Sequence, residues 1–216
     1  MMRKNIKHHL SEELLMAYAS GNLAEAYSIA VAAHVSMCDH CRSQLESYNA
    51  VGGALLERDT NISIEQDAFS KTLERIRSTQ QAAQPKEKLH SDFPEPLTDY
   101  VGRSLHDVKW QPLGMGVKQA VLDTAVDATA RLLYIPAGAQ MPDHSHRGLE
   151  LTLVLDGAFA DENDYFSVGD VEIADGSTNH TPVAMDGKPC ICLTVTEAPL
   201  KFRKMFHRLI QPLMRI

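Results

Sequence analysis

The 216-residue chain is poor in aromatic residues, at 6% with Trp110 its single tryptophan. That is thin for the stacking surfaces that hold single-stranded nucleic acid. It also lacks a positive excess: 21 Lys and Arg face 28 Asp and Glu, for a formal net charge of −7. Residues 1–84 carry eight basic and ten acidic groups, and residues 85–216 carry thirteen and eighteen. Neither part has the basic patch that polyanion binding requires, so no direct nucleic-acid contact is expected. No apolar run approaches the roughly 20 residues that span a bilayer. The opening MMRKNIKHHLSEELL reaches Glu12 and Glu13 before any apolar signal-peptide core can form. A cytoplasmic protein without membrane contact is expected. Cysteine is scarce as well, with only Cys38, Cys41, Cys190 and Cys192. In a reducing compartment these read as metal ligands, packed thiols or redox groups, not structural disulfides. What stands out is histidine, ten in all, the commonest protein metal ligand.

Periodicity divides the chain. Ser11 is placed to cap a helix carrying Leu14, Leu15 and Tyr18, with Gly21 as its stop. Asn22 and Glu25 resemble a capping box opening an Ala-rich helix to about His34. A third helix is expected from near Cys38 to Gly52-Gly53, and a fourth from Asp67 to Gln80, with Phe69, Leu73 and Ile76 at helical spacing. The stretch QQAAQPKEKLHSDFPEP then loses all periodicity. From Leu97 onward short apolar or alternating runs end in turn signals, as in Ala130–Ile135, Glu150–Leu155 and Cys190–Thr196. Such spacing points to a β-sandwich or barrel. The expectation is an all-α unit over residues 1–84, a linker over 85–96 and an all-β unit over 97–216.

The first histidine cluster is His34-Val-Ser-Met-Cys38-Asp-His-Cys41. On a helix His34 and Cys38 share a face, and a turn brings Cys41 beside Cys38. Three such ligands suit a tetrahedral zinc ion that needs one more, available from His8 or His9 upstream. Competing readings are two reduced thiols beside a chance histidine, or a redox C-x2-C pair, though no strand precedes this one. His40 is expected to point away. A closed four-ligand site has no open position for chemistry. It is a staple for a small core, of a kind contributing on the order of 10 kcal/mol in zinc-finger peptides.

The second cluster lies in the β part. His144 and His146 are two apart and point to one face of a strand. Glu150 opens the return strand, and His180 can reach the same point from a later hairpin. Three histidines and a glutamate suit a divalent metal: zinc, or manganese, iron or nickel. Arg131 and Tyr134 are the polar side chains that a substrate pocket could use. Cys190 and Cys192 share one face of an apolar strand, their Cα atoms near the upper limit for an unstrained disulfide. They read either as inert buried thiols or as oxidant-sensing ones. His106 and His207 have no local partner and are expected on the surface or in packing.

These motifs resemble known families. The H-x3-C-x2-C unit resembles the zinc-binding anti-sigma domain. That resemblance implies that His9 completes the site with His34, Cys38 and Cys41, and that the helix bearing Phe69, Leu73 and Ile76 docks on a sigma factor. Gly138, His144, His146, Glu150 and Gly157 fit the first cupin motif. The second is only partly met, with Gly169 and His180 in register but Asp175, Ser177 and Ala184 departing from it. The order of the two, together with HHLSEELLMAY, DYVGRSLHDVKW, DHSHRGLELTLVLDGAF, GDVEIADG and CICLTVTEAPLKF, resembles the ChrR-type anti-sigma factors over nearly the whole chain. The resemblance implies a two-domain protein, zinc-binding helices followed by a jelly-roll cupin. It implies a non-enzyme that holds a group IV (RpoE-like, extracytoplasmic-function) sigma factor one-to-one and releases it under singlet oxygen sensed by the cupin. The competing class is a dioxygenase-like cupin enzyme whose helical unit serves only for oligomerisation.

Overall fold

The N-terminal segment forms helices where capping and periodicity coincide. In the computed structural model, which describes residues 6–58, 63–79, 90–142, 144–145, 148–197 and 201–202, helix α1 spans Glu12–Ala19. The Ser11 hydroxyl accepts from the Leu14 N–H at its start. Helix α2 spans Glu25–Met37 and has no side-chain cap. The expected Asn22–Glu25 capping box does not form. The Glu25 carboxylate instead accepts from the Tyr100 hydroxyl and the Ala125 N–H, a tertiary contact that outcompetes the local one. Helix α3 spans Asp39–Glu57 and so runs through Gly52-Gly53, where a stop was expected. Neither glycine takes a positive φ, so each only weakens the exposed helix, by about 1 kcal/mol relative to alanine. Helix α4 spans Ala68–Ser78 and buries no residue. Residues 80–89 lie outside the described set. Beyond them a 3-10 turn, Glu95–Leu97, leads into the short helix α5, Thr98–Val101. Phe93 and Leu97 are buried in the core that surrounds α2.

The remainder is antiparallel β structure. Strands β1 (Gln111–Gly114), β2 (Val117–Val121) and β3 (Thr129–Ile135) are followed by β4 (His144–Ser145) and β5 (Glu150–Asp156). Then come β6 (Ala158–Ala160), β7 (Tyr165–Ser167), β8 (Val171–Ala174) and β9 (Asn179–His180). The series ends with β10 (Val183–Ala184), β11 (Cys190–Thr196) and β12 (Lys201–Phe202). The main sheet has the order β1-β2-β3-β11-β5-β8, and two three-stranded sheets, β10-β6-β7 and β12-β4-β9, close around it. Non-sequential neighbours such as β3-β11-β5 are what a jelly-roll produces.

Strand β11 explains how the two parts sit together. Its seven residues are all buried, which requires cover on both faces of the sheet. Leu193 lies opposite Leu132 on one side and Leu153 on the other. These leucines, with Ile191 and Val195, share one continuous core with Leu15, Ile29, Ala30 and Val31 of the helices. Cys190 and Cys192 face the opposite way, into a second core with Val154, Phe159 and Phe166. The helical unit is thus the outer cover of the barrel's main sheet. Tyr27 of α2 adds a partly buried hydrogen bond, its hydroxyl donating to the Leu149 carbonyl at 2.6 Å.

Candidate functional site

The turn between α2 and α3 is tight because Cys38 ends one helix and caps the next. Its extended backbone (φ −113°, ψ 108°) lets its Sγ accept from the Cys41 N–H. His34, in the last turn of α2, is fully buried. The segment before α1 brings in His9. One ligand atom from each of His9, His34, Cys38 and Cys41 lies within 4.8 Å of all the others. His34 Nε2 is 3.2 Å from Cys41 Sγ, and His9 Nδ1 is 3.3 Å from Cys38 Sγ and 3.8 Å from Cys41 Sγ. A tetrahedral zinc ion separates such atoms by roughly 3.3–3.8 Å. Burial pushes His34 down to about 4 and the Cys41 thiol up to about 12. A buried dication is the counter-charge that makes thiolates tenable there. Two nitrogens and two sulfurs in this geometry fit zinc. The choice between His8 and His9 is made by the fold: the His8 ring packs on Phe166, centroids 4.5 Å apart, with Nε2 3.7 Å from Asp164. His40 is exposed and stands outside the quartet.

The carbonyl of Gly169, between β7 and β8, lies 2.9 Å from His34 Nδ1. The neighbouring Asp170 is buried, its Oδ1 accepting from the Lys7 and His8 N–H groups at 2.7 and 3.0 Å. Its Oδ2 accepts from the N–H and hydroxyl of Ser167, each at 2.8 Å. Burial would raise the Asp170 carboxyl, but these donors outweigh it and hold the group below the ordinary range. The sequence marked Gly169 only as a motif glycine and gave no signal for its contact with His34 or for that of Asp170 with Lys7 and His8, which lie more than 130 positions away.

Inside the barrel, Glu150, Thr152, Arg131, Glu172, Cys192 and Thr194 contribute to the wall of a cavity of about 70 Å³. His180 is buried, with Nδ1 2.8 Å from Glu172 and 3.6 Å from Asp161. Burial pushes His180 down, but the Glu172, Glu150 and Asp161 carboxylates outweigh it and raise it. Asp161, Glu172 and His180 also form a group able to hold a metal ion. Glu172 holds His180 at Nδ1, and a carboxylate on the ring of a ligating histidine is the usual arrangement around histidine-bound metals. The backbone of His144 pairs directly opposite His180. His146 lies outside the described residues, as does His207. His106 is exposed. Glu172 and Asp161 were missed in the sequence, where each is one more acidic residue near a turn or on a strand. Arg131 is buried, its Nη1 donating to Gln119 at 3.3 Å. Tyr134 faces away from the cavity, edge-on to Trp110. All four cysteines are buried and unbridged. Cys192 is raised well above an ordinary thiol by its neighbour Cys190 and by burial.

Helix α4 presents Phe69 and Ile76, 75% and 64% exposed, with Leu73 half-buried between them. Val51, Leu55 and Leu56 of α3 are exposed as well. Leu55 and Leu56 follow the two glycines where a helix end was expected. No helix among the described residues is long and apolar enough to cross a membrane.

A jelly-roll sheet covered by helices that gather two histidines and two cysteines defines a two-part protein with a candidate metal site, and the comparisons identify its family. The ChrR cupin-like domain model matches residues 99–199. The anti-sigma-E factor ChrR of Cereibacter sphaeroides is 49% identical over 98% of this chain and 99% of that protein. A crystal structure of Rhodobacter sphaeroides SigE in complex with the anti-sigma ChrR superposes with a TM-score of 0.77, at 49% identity, covering 89% of this chain and 99% of that one. The chain belongs to the ChrR family of anti-sigma factors, which are regulators and not enzymes.

Proposed function

We propose that this chain sequesters a group IV sigma factor, one-to-one, through residues 1–84, and releases it when singlet oxygen or a related oxidant acts on the cupin, residues 97–216. The observation that carries the reading is the whole-length identity to an anti-sigma-E factor ChrR, together with the likeness to an anti-sigma ChrR crystallised with SigE. The apolar stripe of α4 supports it: among the described residues no side chain of this helix is buried, and Phe69, Leu73 and Ile76 suit a partner's surface. His9, His34, Cys38 and Cys41 hold a structural zinc ion, whose chemistry is that of a closed staple. In the cupin, His144, His146, Glu150 and His180 hold a second divalent ion, zinc or else manganese, iron or nickel. The buried carboxylates beside His180 support a cation there.

Modification of a ligand or thiol among His144, His146, Glu150, His180, Cys190 and Cys192, of which the imidazoles and thiols are the oxidisable groups, then loosens the barrel. The linker over 85–96 passes an altered orientation or protease access to the helices. Soluble protein in the cytoplasm, without nucleic-acid contact, completes the reading. The test is co-purification of the full chain with a group IV sigma factor. Substituting Phe69, Leu73 and Ile76 by alanine should abolish the complex without changing the melting temperature. Substituting His144 or His180 should preserve the complex but blunt its release under light and a photosensitiser. Normal release from both variants would sink the sensor role. Full binding by the triple variant would sink the docking role of α4.

A further inference from the structure

We propose that the cupin supplies the outer shell of the helical metal site, with Asp170 and the Gly169 carbonyl positioning its histidines. The proposal rests on reading His9, His34, Cys38 and Cys41 as a zinc site.

A carbonyl can only accept a hydrogen bond, so Gly169 fixes the proton of His34 on Nδ1 and leaves Nε2 as the metal-facing atom. That contact is buried and joins residues 135 positions apart. His9 is positioned through its backbone. Asp170 takes the N–H groups of Lys7 and His8, and the Val171 N–H donates to the His8 carbonyl at 3.3 Å. The residues leading to His9 are therefore stitched to the start of β8. Gly169 has φ +96°, and a Cβ there would stand 2.6 Å from Ile6 Cδ1. Only glycine lets the turn lie this close to the segment carrying His9. Ser167 in turn holds the second oxygen of Asp170, so the carboxylate is locked to the cupin before it meets the helices.

The same stretch reaches the other site. Glu172, two residues beyond Asp170, holds His180 Nδ1 at 2.8 Å. Residues 169–172 thus touch both histidine clusters, one on each side of β8. This packed turn gives a second, direct connection between sensor and staple beside the linker. By linkage, whatever the cupin adds to zinc affinity, zinc must add to the stability of this turn.

Two measurements on the full-length protein test this. The zinc that Cys41→Ser removes is titrated out with a competing chelator. Asp170→Ala is expected to weaken its retention 10- to 100-fold, the usual effect of losing an outer-shell partner. Tyr27→Phe also deletes a partly buried hydrogen bond between α2 and the cupin, away from the quartet, and should stay within about twofold of wild type. Unchanged retention in Asp170→Ala overturns the proposal, as does an equal loss in Tyr27→Phe, which would mean general loosening. Hydrogen exchange on the wild type needs no variant. Stripping zinc should speed exchange at the Ser167 and Val171 amides while Leu193 in β11 stays protected. Unaltered exchange at both amides overturns the coupling. A wild-type chain with no zinc that depends on Cys41 overturns the metal reading itself.

Discussion

Leu193→Ala examines whether helices and barrel share one core. Leu193 is fully buried in the centre of β11, between Leu132 and Leu153 and within the core cluster that contains Ala30 and Val31 of α2. Deleting a buried leucine side chain costs 2.7–5.0 kcal/mol depending on how far the site collapses. Here collapse is restricted, because the sheet is hydrogen-bonded on both sides of Leu193 and the covering helix contributes small residues. A loss of about 4 kcal/mol follows, a large share of the 5–15 kcal/mol typical of a whole domain. For a chain of this size it lowers Tm by roughly 8–16 °C. The assay is urea unfolding at fixed free zinc, followed by far-UV circular dichroism for the helices and by Trp110 fluorescence for the β unit. Trp110 is partly buried against the same core, so it reports from the cupin side. Both probes should shift together to a lower midpoint. A loss under about 2 kcal/mol, or a helical transition that stays in place while Trp110 moves, would refute the shared core.

Three further outcomes are expected. Glu172→Gln removes the carboxylate that holds His180 Nδ1. It should weaken the cupin's metal retention 10- to 100-fold, with the Cys41-dependent zinc retained, as read by metal analysis after graded dialysis. Gly157→Ala forces a side chain onto a residue at φ +74°, with its Cβ 2.3 Å from the Pro189 carbonyl oxygen. Strain of this kind costs about 1–3 kcal/mol, and a clash with backbone cannot relax cheaply, so the denaturation midpoint should fall. A wild-type midpoint would show that the β5–β6 bend is softer than its geometry. Glu25 is held below the ordinary glutamate range by the Ala125 N–H and the Tyr100 hydroxyl. Its folded value is lowered, so its contribution is complete above the ordinary range and is lost as pH falls below it. Glu25→Gln should flatten the acid limb of the stability curve, and an unchanged limb would count against this contact.

The alternation of strands, the helical stripes and the first histidine cluster were legible in the chain because each is a local pattern of spacing. His34, Cys38 and Cys41 fall within eight residues, and a helix followed by a tight turn is enough to bring them together. The partition of β11 into two faces was legible in outline, since Cys190 and Cys192 alternate with Ile191 and Leu193. Its consequence was not. A continuous apolar strand says that both faces are covered but not by what, and only the packing shows that α2 is the cover. The continuation of α3 beyond Gly52-Gly53 went unread for a related reason, since a glycine ends a helix only where the fold uses its positive φ.

The sequence on its own determined the two architectures, their order and the residue types of the helical His/Cys cluster, because these depend on spacings of a few residues. Tertiary structure decided between His8 and His9, turned Glu25 from a helix cap into a clamp on the cupin, and brought Glu172 to His180. It also set Gly169 and Asp170 against a site more than 130 residues upstream. The physical reason is the same in each case. A buried polar group must find a partner, and where no local one can reach, the partner comes from whatever surface the packing of the core brings alongside.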